Sequence, residues 1–92
     1  MKMDDNNYIV LMHYTAIKVG GKVERWADAV TNTTSMMALM DAVKAAMHKL
    51  SADVDDVINK NGYRLICADS FSLTYETDGN EVVSIRYEVV RS

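Results

Sequence analysis

The hydrophobic period changes twice along this chain, from two to 3.6 and back to two, and that succession limits the fold to a layered α+β domain. Tyr8 to Val19 is mostly β-branched, aromatic or aliphatic; Gly20-Gly21 interrupts the run, and a second extended stretch continues from Lys22 to Thr31. Two adjacent glycines supply the positive φ values of a primed turn, so the sequence predicts a hairpin with a two-residue loop. Its register sets Val19 opposite Lys22, Ile17 opposite Glu24, Thr15 opposite Trp26, His13 opposite Asp28 and Leu11 opposite Val30. One face then carries Val10, Met12, Tyr14 and Ala16 beside Arg25, Ala27 and Ala29, and the small alanines leave room there for a helix. The other face carries Ile9, Leu11, Ile17, Val30 and Trp26 around His13 and Asp28, an apolar patch that calls for a partner or a second copy.

The period becomes helical in the middle, where Met36, Leu39, Met40, Val43, Ala46, Met47 and Leu50 share one stripe and Asp41, Lys44 and His48 lie opposite. Thr33, Thr34 or Ser35 suits the N-cap, and Lys49 suits the negative end. Ser51 restarts the pattern with Asp53, Asp55 and Asp56 near a positive helix terminus, and Asn61-Gly62 supplies a stop, so a second short helix or a kinked extension follows.

From Tyr63 to Glu76 the alternation reads as one strand, with Leu65, Cys67, Phe71, Leu73 and Tyr75 on its apolar face and Asp69 breaking it. A last strand carries Val83, Ile85, Tyr87 and Val89 inward. Coincidence of the two apolar faces requires a three-residue loop over Asp78-Gly79-Asn80, which sets Phe71 opposite Tyr87 and Leu73 opposite Ile85. The expectation is a single domain over residues 1–92 with residues 1–7 as a tail. It has a four-stranded antiparallel sheet in β-β-α-β-β order, with one main helix on one face.

At 92 residues the chain supports one core, and 49% hydrophobic content with a formal charge of -3 separates it from disordered sequences. The acidity gives no long-range attraction for phosphate backbones. The acidic start lacks the positive region of a signal peptide, and the early apolar run Tyr8 to Met12 is far shorter than the roughly 20 residues that span a bilayer. The lone Cys67 excludes an internal disulfide or a multi-cysteine zinc site, and its place on an apolar face makes it a buried, inert thiol. Seven methionines suit a reducing interior, so a cytoplasmic location is expected.

No catalytic constellation emerges, and a non-catalytic protein without a cofactor or metal is expected. His13 opposite Asp28 has the form of an oriented imidazole, but no nucleophile accompanies it and a cross-strand polar pair is the plainer reading. Asp53, Asp55 and Asp56 lack the glycine and distal glutamate of a calcium loop, and Gly20-Gly21-Lys22 does not lead into a helix as a phosphate loop must. For contact with a partner, Trp26 ranks first, since tryptophan combines a large apolar body with an N–H donor. Lys18, Lys22 and Arg25 gather about the first turn, where a solvated tip is the simpler account.

In size, acidity and element order, the strand Tyr8 to Val19, the Gly20-Gly21 turn, the helix Met36 to Leu50 and the Asp78-Gly79-Asn80 hairpin resemble phage-encoded anti-CRISPR proteins directed against the type I-F surveillance complex. The resemblance implies an inhibitor that works in the host cytoplasm by occupying a surface of Cas subunits. Lys18, Lys22, Arg25 and Arg86 would then compete at a guide RNA or target DNA channel, or acidic residues would imitate phosphate. The alternative is a structural homodimer or antitoxin-like regulator that self-associates through its open sheet face.

Overall fold

The computed structural model describes residues 7–30 and 37–91. Strand β1 (Tyr8–Ile17) and β2 (Val23–Ala29) precede helix α1 (Leu39–Asp55), which runs on into one π-helical turn, Asp56–Lys60. Strands β3 (Arg64–Ala68), β4 (Ser72–Glu76) and β5 (Val82–Arg91) complete a five-stranded antiparallel sheet of order β2-β1-β5-β4-β3. The last strand inserts beside the first, pairing Tyr8 with Arg91 and Ile17 with Val82. Among the described residues no helix is long and apolar enough to cross a membrane. The expected tail and the capping candidates Thr33, Thr34 and Ser35 fall on residues 1–6 and 31–36, outside the described residues except for Asn7.

The α+β class and the helix-on-sheet layering agree with the sequence reading, but among the described residues the strands number five rather than four. The stretch Tyr63 to Glu76 is a hairpin, not one strand. Asp69 makes the turn: its carboxylate accepts from the N–H groups of Phe71 (2.8 Å) and Ser72 (2.9 Å), and its own N–H donates to Ser72 C=O at 2.9 Å. A register shift between Leu65 and Cys67 then turns Cys67 toward the open face opposite Thr74, so the thiol is exposed instead of buried. The Asp78–Asn80 loop closes as expected, with Thr77 N–H to Glu81 C=O at 2.9 Å and Asn80 at φ 61°, and Leu73 faces Ile85. Tyr87 N–H donates to Phe71 C=O at 2.8 Å, in keeping with the predicted opposition of those residues.

The first hairpin is offset by one residue from its expected register. Lys18 N–H donates to Lys22 C=O at 2.7 Å and Gly21 N–H to Lys18 C=O at 3.0 Å, so three residues, Val19-Gly20-Gly21, form the loop. Gly20 and Gly21 take φ of 94° and 87°. Tyr14 therefore pairs with Trp26, Met12 with Asp28 and His13 with Ala27. The β1 residues Val10, Met12, Tyr14 and Ala16 do face the helix, but their β2 companions are Glu24, Trp26 and Asp28, while Arg25, Ala27 and Ala29 lie on the open face.

Helix α1 packs on β1, β5 and β4 with Ala42, Ala46 and Leu50, against a core of Val10, Ala16, Val57, Leu73, Val83, Ile85 and Tyr87. Alanine at two consecutive contact turns brings the helix close to the sheet. Met40 and Met47, read as core from the stripe, are exposed because the buried face is rotated by roughly 60° from that stripe at 100° per residue, whereas Leu39 lies near the Ala46 direction and is exposed as the first residue of the helix. The cap residue is Ala38, with no side-chain hydrogen bond, and Lys49 lies within the helix rather than at its end. The three aspartates are likewise internal: Asp55 accepts from Asn59, Asp56 pairs with Lys60, and Asp53 accepts from the Tyr87 hydroxyl.

Candidate functional site

The sheet face away from α1 is built by alternate residues of all five strands, and its centre is polar. On β1, His13 and Thr15 stand side by side; Ala27 and Arg25 flank them on β2, and Arg86 and Ser84 on β5. Ser72 and Thr74 of β4 extend the row, with Thr74 Oγ1 and Ser84 Oγ 3.4 Å apart. His13 Nε2 and Glu88 Oε1 are 2.8 Å apart, both partly exposed. The carboxylate that holds this imidazole comes from the far end of the chain, not from Asp28. Asp28 is on the other face, where its Oδ1 accepts from Ala29 N–H at 2.8 Å, so the expected His13–Asp28 pair does not form.

Arg25 and Arg86 line one shallow depression of about 540 Å³ together with His13, Thr15 and Ser84. They lie two strands apart and one register step along, which places their Cα atoms roughly 12 Å from each other by ordinary strand spacing. Arg64 on the same face is held by Glu76 at 3.0 Å, and Glu88 is turned to His13. Among the described residues neither Arg25 nor Arg86 has an acidic partner. The face thus presents two uncompensated guanidinium forks among hydroxyl groups, a set suited to carboxylate or phosphate oxygens.

The other residues singled out for contact are elsewhere. Lys18 points to the helix side and lies 3.7 Å from Glu24 and 3.5 Å from Glu81; those carboxylates, Glu24 first, hold its ammonium above the usual lysine range. Trp26 stacks on Tyr14 at 4.8 Å between ring centres and is half exposed, again on the helix side. Lys22 is at the exposed hairpin tip. Of the five, Arg25, Trp26 and Arg86 line the one depression, and of these only the two arginines stand on the open face. Sequence reasoning missed the convergence because Arg86 reaches Arg25 only through the β1–β5 pairing, which no local pattern announces. Among the described residues no three His, Cys, Asp or Glu side chains group as a metal site.

Comparison with protein-family models, with curated proteins and with solved structures returned no match.

Proposed function

We propose that this chain is a non-catalytic binding protein that occupies an anionic surface of a host protein or nucleoprotein complex through its open sheet face. The observation that carries the reading is the pair of unpartnered guanidinium groups, Arg25 and Arg86, in one depression. With a net charge of -3, the chain would rely on contact at this spot rather than on long-range steering. The resemblance noted above implies a CRISPR–Cas surveillance complex as the partner, with Arg25 and Arg86 competing for a guide- or target-binding channel. Self-association face to face is the weaker reading, since a two-fold contact there brings the arginines of both copies together.

The test is binding of the full chain to purified type I-F surveillance complex by biolayer interferometry, alone and with guide or target competitor. Arg25→Glu with Arg86→Glu should weaken binding by roughly a hundredfold or more, while Met40→Ala, exposed on the helix, should change it little. Absence of binding by the wild type, or indifference to the double reversal, overturns the reading.

A further inference from the structure

Strand β2 ends the sheet order, and the bonds of the first hairpin show which of its backbone groups face outward. Val30 N–H donates to Val10 C=O at 2.9 Å and Lys18 N–H to Lys22 C=O at 2.7 Å, both in the β1–β2 register, so even residues of β2 turn their groups to β1. Those of Val23, Arg25, Ala27 and Ala29 point off the sheet. The Asp28 carboxylate takes the Ala29 N–H at 2.8 Å. Among the described residues no backbone group meets Arg25 or Ala27 on that side.

A second, separate observation concerns the side chains above this edge. Glu24, Trp26 and Asp28 alternate along β2 on the helix side, roughly 7 Å from one to the next. Trp26 stacks on Tyr14, its partner on β1, with ring centres 4.8 Å apart and planes 21° from parallel. That separation matches the spacing of neighbouring strands, so one face of the indole lies against Tyr14 and the other looks off the edge; the residue is 50% exposed. A carboxylate on either side of an exposed indole face favours a cation over the ring, which the electron-rich face and both charges attract. Lys18 is shared between Glu24 at 3.7 Å and Glu81 at 3.5 Å. With Lys22 at the tip counted as well, the carboxylates of Glu24, Asp28 and Glu81 outnumber the ammonium groups around this edge.

We infer that the β2 edge takes an extended segment of another protein as a further strand, with basic side chains at alternate positions. The central one, opposite Trp26, lies over the outer face of the indole as Tyr14 lies over the inner one. The basic residues two before and two after it reach Glu24 and Asp28. Arg25 and Ala27 make the backbone bonds on either side, so the central residue occupies a non-hydrogen-bonded position, where side chains across a pair are closest. Residues between the basic ones fall on the open face beside Arg25 and are uncharged or acidic. Edge charges that discourage indiscriminate strand pairing thus select a partner. They also oppose a second copy centred on Trp26, which sets Glu24 of each chain against Asp28 of the other. The site is independent of the function proposed above, which uses the Arg25 and Arg86 side chains on the other face.

The probe is a short synthetic peptide of alternating threonine and arginine, titrated into the isotope-labelled full chain and followed by nuclear magnetic resonance. It should bind saturably. The Arg25 and Ala27 amide signals should shift and gain protection from hydrogen exchange, and Trp26 fluorescence should change with the same midpoint. A peptide of equal composition with its arginines in one block should bind more weakly. Glu24→Gln with Asp28→Asn keeps side-chain size and the acceptor for Ala29 N–H, and should raise the peptide dissociation constant roughly tenfold, as should Trp26→Thr. Arg25→Glu with Arg86→Glu should not weaken the peptide, which separates failure of this site from failure of the arginine pair. No saturable binding, equal binding of the block peptide, or indifference to both edge variants overturns the inference. So does protection of the Arg25 and Ala27 amides without peptide in a chain that self-associates, which assigns the edge to a second copy.

Discussion

Asp53 and Tyr87 tie the helix to the sheet through one hydrogen bond, with the hydroxyl donating to the carboxylate. Burial raises the Asp53 pKa, and the bond from Tyr87 only partly offsets it; burial and then Asp53 hold the Tyr87 hydroxyl above its ordinary range. For a carboxyl whose folded pKa is raised, the folded state binds the proton more tightly, so its stabilising share is full below the ordinary Asp range and is lost as pH rises through the raised value. Asp53→Asn keeps an acceptor without the charge, and urea unfolding should find it at least as stable as the wild type at pH 7, with a flatter stability profile just above the ordinary Asp range. Tyr87→Phe should cost roughly 1–2 kcal/mol at pH 7 and less on acidification, read from the same titrations. Asp69 runs the other way: the N–H of Phe71, then Ser72, holds its carboxyl low, so the stability it contributes is present above the ordinary Asp range and fades as pH falls.

Among the elements, α1 is held most tightly where its side chains are smallest. Ala42 and Ala46 have no exposed surface, and Ala46→Leu should lower stability by roughly 1–3 kcal/mol in urea unfolding, through overpacking against the sheet. Leu73→Ala, by contrast, empties a fully buried site on β4 and should cost roughly 2–5 kcal/mol in the same assay. The helix and the β4–β5 hairpin were legible because each has one apolar face, so parity alone set Leu73 opposite Ile85. The first hairpin gave no such constraint: Ile9, Leu11 and Ile17 make its open face nearly as apolar as Val10, Met12 and Tyr14 make the inner one. The turn at Asp69 was hidden for another reason. Leu65, Phe71, Leu73 and Tyr75 keep one parity across it, so a reversal of the chain reads as a continuing strand. Arg25 was singled out from the sequence, but its joining with Arg86 and the His13–Glu88 contact depend on the distant pairing of β1 with β5.

At the scale of the molecule, the extents are 52 × 26 × 19 Å and the radius of gyration is 15.0 Å, against roughly 12 Å for a compact chain of this length. The hairpin of β1 and β2 accounts for much of the excess surface: Ile17, Val19, Val23 and Trp26 are each close to half exposed or more. Arg25 and Arg86 lie on the surface of this elongated sheet, so the binding proposed for them is separable from stability. The double reversal of those arginines should leave the unfolding free energy, read from urea titration, within roughly 0.5 kcal/mol of the wild type, because both are on the surface and unpaired.

The adjacency of β1 and β5 also governs how the chain reaches this state. The sheet joins β1 (Tyr8–Ile17) to β5 (Val82–Arg91), so it cannot close until β5 has left the ribosome. At roughly 5–20 residues per second, the β1–β2 hairpin waits several seconds with an unpaired inner edge. Such a distant pairing also slows spontaneous refolding, and stopped-flow dilution from urea should find it in the millisecond-to-second range rather than in microseconds. Nascent chains of this protein are therefore the form most exposed to chaperones and to mispairing with one another.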